Sequence, residues 1–117
     1  MQGTIALDID GTLTADSRLH TMPPRVVKYL SQLVSDGWQL VFITGRTFMS
    51  AYRILQPLPF PYYLAVQNGA IILEMPSRRI VGKKYLDRSV FSAMELICRD
   101  EPSDFIVYAG YEHNDVC

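Results

Sequence analysis

Short, nearly all-apolar runs alternate along this chain with stretches in which apolar residues recur every three or four positions. The first kind reads as strand, the second as amphipathic helix. Thr4 to Ile9 is apolar apart from its first residue and Asp8, which predicts a strand buried on both faces. After a polar stretch from Thr14 to His20, Pro23 and Pro24 stand where a helix can begin. Val26, Leu30, Leu33 and Val34 then fall on one face, and Gly37 stops it. Trp38 to Ile43 reads as a second strand. Phe48, Ala51, Tyr52 and Leu55 give Thr47 to Gln56 a helical period, ended by Pro57, Pro59 and Pro61 before a third strand, Tyr62 to Val66. The order β-α-β-α-β predicts a parallel core with right-handed crossovers.

Beyond Asn68 the pattern changes. Ala70 to Glu74, a turn around Pro76-Ser77, and Arg79 to Tyr85 read as a hairpin that leaves the core. A helix from Ser89 to Arg99, with Val90, Ala93, Met94 and Ile97 on one side, and a strand from Phe105 to Tyr111 follow. There is no internal repeat and no low-complexity tract.

Composition narrows the class without naming a chemistry. The 117 residues suit one domain, and an apolar fraction of 49% is enough for a packed core. A net charge of −1 argues against a broad electrostatic nucleic-acid footprint. No apolar stretch approaches the ~20 residues needed to span a bilayer, and the first residues lack a basic-then-apolar leader pattern, so a cytoplasmic chain without membrane contact is expected. Cys98 falls in a helical segment and Cys117 is the last residue, a spacing that suits neither a disulfide framework nor a metal clip.

The chemistry concentrates where strands end. Asp8-Ile9-Asp10-Gly11-Thr12-Leu13 puts two carboxylates at the exit of the first strand, and a period of two sends both side chains the same way. Two close anions need a shared proton or a cation between them. Oxygen-only ligands at the mouth of a parallel sheet suit Mg²⁺. A solvated Asp pair at a strand-to-turn junction is the plainer alternative. An EF-hand loop starting at Asp8 is excluded by Leu13 and Leu19, which stand where glycine and glutamate are required. His20 and His113 have no partner at metal-ligand spacing, and Trp38 and the Tyr62-Tyr63 pair suit core packing better than a stacking platform.

Asp-x-Asp-Gly-Thr-Leu after the first strand, Thr44-Gly45-Arg46 after the second and Gln67-Asn68-Gly69-Ala70 after the third resemble, in order, motifs of the haloacid dehalogenase superfamily and its Cof-like phosphatase branch. The resemblance implies an α/β fold: a Rossmann-like, parallel three-layer core, present in part, with the start of an inserted α/β cap. Residues 1–78 would be the N-terminal part of the catalytic core and 79–117 the beginning of the cap. It implies a phosphohydrolase that uses Mg²⁺ and an aspartyl-phosphate to act on small phosphorylated metabolites such as sugar phosphates. Asp8 would be the nucleophile and Asp10 the general acid and then base, both of them metal ligands, Asp10 also through its carbonyl. Ile9, Gly11 and Thr12 would present the phosphate-binding turn, Thr44 and Gly45 would hold phosphoryl oxygens, and Arg46 and Asn68 would face substrate. A phosphomutase of the same superfamily shares these first motifs.

Each residue also has a structural reading. Thr44 can cap the helix that follows, Arg46 can be a solvated cation, and Asn68-Gly69 is a common hairpin turn. A receiver-like phosphoacceptor domain would need an Asp at the end of the third strand, where this chain has Val66-Gln67-Asn68. The superfamily's later Lys and Asp motifs cannot be placed after Tyr111, and the strands that carry them lie beside the first strand. The chain is therefore expected to be the N-terminal portion of a longer phosphatase, a degenerate, binding-only relative being the second reading, with Thr4 to Ile9 as an exposed edge that can support self-association.

Overall fold

A computed structural model of the chain describes residues 2–14 and 21–101. The chain divides into two compact units, Met1–Lys83 and Lys84–Cys117. In the first, β1 (Gly3–Asp8), α1 (Pro24–Ser35), β2 (Trp38–Ile43), α2 (Phe48–Leu55) and β3 (Tyr62–Val66) precede a hairpin of β4 (Ile71–Met75) and β5 (Arg79–Lys83). The five strands form one sheet in the order β1-β2-β3-β4-β5. β1, β2 and β3 are parallel, while β4 and β5 continue the sheet antiparallel. The helices and the β3–β5 strands lie within a residue or two of the segments their periodicity marks out, because each carries its own local start or stop. α1 opens with Pro24 at its first position and Pro23 before it, and Gly37, at φ +98°, follows its C-cap Asp36.

Strand register decides which side chains share a face. Ile5 lies opposite Leu40, Leu7 opposite Phe42, Phe42 opposite Leu64, and Leu64 opposite Leu73. Leu40, Phe42, Leu64 and Leu73 are fully buried on this face, as are Phe48, Ala51, Ile54 and Leu55 of α2, and Leu30 of α1 is almost so. Two right-handed crossovers that step the same way across a sheet place their helices on the same side, which is where this core forms. Tyr62 belongs to it: its ring meets Phe42 edge-on at 5.2 Å, and burial pushes its hydroxyl up to about 12.

The opposite face carries Ala6, Val41, Ile43, Tyr63 and Ile72. Ala6 is exposed and Ile43 is 44% exposed. This corrects the expectation that the first strand is buried on both faces: β1 alternates half-buried and exposed residues along its length. The physical reason is its place. Among the described residues β1 is hydrogen-bonded only to β2, at the edge of the sheet, and the helices gather over the other face.

The first compact unit runs to Lys83, and β5 is paired along β4 within its sheet. In the second unit α3 (Ser89–Cys98) has no buried residue; Leu96 and Ile97 are 63% and 66% exposed. Its expected apolar side is therefore uncovered at Ala93 and Ile97. The expected strand Phe105 to Tyr111, His20, His113 and Cys117 lie outside the described residues.

Candidate active site

β1, β2 and β3 run parallel, so their C-terminal ends lie at one edge of the sheet, and each ends at a motif residue: Asp8 closes β1, Thr44 follows β2, and Gln67-Asn68-Gly69 follows β3. A cleft of about 350 Å³ opens there, lined by Ala6, Leu7, Asp8, Ile43, Thr44, Gly45 and Asn68. Crevices outside the carboxyl ends of parallel strands are where α/β sheets bind ligands.

The loop after β2 is tied to the turn after β3 by main-chain hydrogen bonds. The Asn68 N–H donates to the Thr44 carbonyl at 2.9 Å and the Gln67 N–H to the Arg46 carbonyl at 2.9 Å, while the Thr44 N–H donates to the Ala65 carbonyl at 3.0 Å. Gln67 and Asn68 adopt left-handed conformations, φ +50° and +57°, to make these bonds. Asn68 thus shapes the backbone, as its turn signal indicates, and its side chain also reaches the cleft. Thr44 is 3% exposed, and its hydroxyl accepts from the Arg46 N–H at 3.1 Å. It does not cap α2: the N-cap is Thr47, three residues on, and Gly45 correspondingly precedes the helix instead of sitting at its N-terminus.

The turn after Asp8 spends its donors on itself. The Ile9 N–H donates to Asp8 Oδ1 at 2.7 Å, the Gly11 N–H to the Thr14 carbonyl at 2.9 Å, and the Thr12 N–H to the Ile9 carbonyl at 3.3 Å. The structure therefore differs from the expected cradle of amides: the Gly11 and Thr12 N–H groups close the turn rather than face the cleft. Gly11 does use the conformation that glycine permits, φ +77°. Thr14, 1% exposed, packs its hydroxyl 3.4 Å from the same Ile9 carbonyl and was not marked by any motif.

Asp10 lies past the end of β1, so the strand's two-residue period stops short of it. What fixes it is Arg46, 36 residues away. Nε donates to Oδ2 at 2.9 Å and Nη2 to Oδ1 at 2.7 Å, a side-on fork with the two side chains 15% and 33% exposed, arginine first. The Arg46 guanidinium holds the Asp10 carboxyl below its ordinary value, against a smaller opposing effect of burial. Arg46 is accordingly paired with Asp10 and is not a solvated cation, and neither residue is among those that line the cleft. The Arg46 Nη1 donates to Ser50 Oγ at 2.8 Å, and Ser50, in the first turn of α2, belongs to none of the three motifs.

For a divalent cation the donor types fit in part. Asp8 offers a carboxylate at the cleft, whereas the Asp10 carboxylate is engaged by Arg46, which leaves the Asp10 carbonyl as the better donor. Among the described residues no group of three or more acidic, His or Cys side chains could hold a metal ion.

A family model of haloacid dehalogenase-like hydrolases matches residues 5–116. HMP-PP phosphatase of Yersinia enterocolitica is 34% identical over 77 residues, covering 66% of this chain and 28% of that protein. Pyridoxal phosphate phosphatase of Escherichia coli is 27% identical over 93 residues, covering 80% and 33%. The structure of a haloacid dehalogenase-like hydrolase from B. subtilis superposes with a TM-score of 0.70 at 28% identity, over 86% of this chain and 34% of that one. The chain spans 24% to 36% of the length of the curated relatives it matches. With the model covering nearly all of its residues, the chain belongs to the haloacid dehalogenase-like hydrolase family.

Proposed function

We propose that the protein is a phosphohydrolase that transfers the phosphoryl group of a small phosphorylated metabolite, such as a sugar phosphate, to Asp8 and then to water. The observation that carries this reading is the cleft at the strand ends, where the Asp8 carboxylate opens onto the same space as Thr44, Gly45 and Asn68. Relatives named as phosphatases of pyridoxal phosphate and of HMP-PP support a small-molecule substrate.

An Asp8 oxygen attacks phosphorus as the bond to the leaving oxygen breaks, and Asp10, which first takes up a proton against the hold of Arg46, gives it to that oxygen. Asp10 then takes a proton from water, whose oxygen attacks the aspartyl-phosphate and frees Asp8. The Thr44 hydroxyl holds a phosphoryl oxygen through this charge build-up, at the mouth of a braced loop that does not have to reorganise. The Asp8 carboxylate and the Asp10 carbonyl would hold Mg²⁺, whose charge offsets that of the phosphoryl group. Catalysis takes place in the cytoplasm, and for the 117-residue chain the β1 edge, paired with β2 alone among the described residues, is the surface offered for self-association.

Replacing Asp8 or Asp10 by Asn should abolish turnover of an aryl phosphate by the purified enzyme with the fold intact by circular dichroism. Turnover retained in Asp8→Asn would end the assignment. Thr44→Ala should fall by roughly 10²–10³, the cost of one lost oxyanion donor, and so keep measurable activity.

A further inference from the structure

Ser50 is the third residue of α2 and, like Arg46 and Asp10, is not among the residues that line the cleft, yet it is tied to the Asp10 carboxylate through one intervening side chain. The main chain of Arg46 is pinned on both sides, its N–H on Thr44 Oγ1 at 3.1 Å and its carbonyl under the Gln67 N–H at 2.9 Å. The freedom that remains lies in its long side chain. Nε and Nη2 grip Asp10 along one edge of the guanidinium plane, and the third nitrogen, Nη1, donates to Ser50 Oγ at 2.8 Å. Each hold on a planar guanidinium narrows how far it can pivot about the carboxylate, and the Ser50 bond adds one at the nitrogen that does not touch Asp10. Ser50 is rooted in a helix whose Phe48, Ala51, Ile54 and Leu55 are buried in the core, so the far end of this relay is rigid.

We propose, on the phosphatase reading, that Ser50 is a positioning residue for the reaction: it orients the Arg46 fork and through it the Asp10 carboxyl that moves the proton. Nothing in the motif pattern points to it. Its effect belongs in the chemical step, since its side-chain link is through Arg46 to Asp10.

The test is a two-by-two set of enzymes, unmodified, Ser50→Ala, Arg46→Lys and the double variant, assayed for steady-state hydrolysis of an aryl phosphate. Alanine is a better helix former than serine, so α2 is not weakened by the change. Ser50→Ala is expected to lower kcat roughly tenfold, the scale of one hydrogen bond to a charged group, with KM within about twofold. In the Arg46→Lys background, where the fork and its third nitrogen are gone, the same change should cost less than about twofold. An unchanged kcat in Ser50→Ala, or an equal loss in both backgrounds, overturns the role of Ser50 and leaves the phosphatase reading standing. Absence of turnover in the unmodified complete protein, with the later motifs present, overturns that reading and this inference together.

Discussion

With Arg46 beside it, the Asp10 carboxyl titrates below its ordinary value of 3.8, and that has a consequence for stability as well as for chemistry. A group whose folded-state pKa is depressed stabilises the fold above its unfolded value, and the contribution is lost as the pH falls through the folded value. Thermal melts taken from neutral pH down to about 3 should therefore lose more stability in the parent than in Arg46→Ala. The difference should be on the order of 1 kcal/mol at most, because the pair is partly exposed. Close approach sets a second expectation. A Cβ added at Gly45 would stand 3.1 Å from Asn68 Oδ1, so Gly45→Ala must push the Asn68 amide, which lines the same cleft. The melting point should change little, about 1 kcal/mol, while phosphatase activity falls further than that figure implies. The Arg46–Asp10–Ser50 contacts were hidden from the sequence for a plain reason: 36 residues separate the first two, and no local pattern records which distant turn an arginine will reach.

Helices and strands that carry their own signals were legible. Pro24 and Gly37 bracket α1, the prolines after Gln56 end α2, and the switch from helical to alternating spacing locates the β3–β4–β5 meander. What period and composition do not record is an element's neighbours. Ile5-Ala6-Leu7 reads the same whether a strand is central or at an edge, and only the sheet order shows β1 to be an edge strand with Ala6 exposed. Similarly, Thr44 carries the residue type of a helix cap, but α2 starts beyond it and its hydroxyl serves the loop. The core face has no such ambiguity. Phe42 is fully buried between Leu7 and Leu64 in register, so Phe42→Ala should cost about 3–5 kcal/mol by denaturant unfolding. At the edge, Thr4→Lys should lower any concentration-dependent light scattering with little change in melting point, because an outward charge blocks strand addition and the bond it removes, from the Thr4 hydroxyl to Gln39 Oε1 at 3.4 Å, is an exposed one.

For the molecule as a whole, three parallel strands bring three motifs to one end of one sheet, and that convergence follows from β-α-β-α-β order alone. Ligand number does not follow in the same way. With Asp10 committed to Arg46, calorimetry on the 117-residue chain should show only weak Mg²⁺ binding, and tight binding would mean that further oxygens reach the site. One more property comes from the seam between β1 and β2. The chain's single tryptophan, Trp38, is the register partner of Gly3, and its ring lies where a Gly3 side chain would begin, with Cζ3 3.1 Å from that point. The indole is therefore an optical gauge of the edge strand. When β1 peels from β2 the ring gains water on one side, so emission should shift to the red and acrylamide quenching should rise at temperatures where the far-ultraviolet dichroism of the helices is still unchanged.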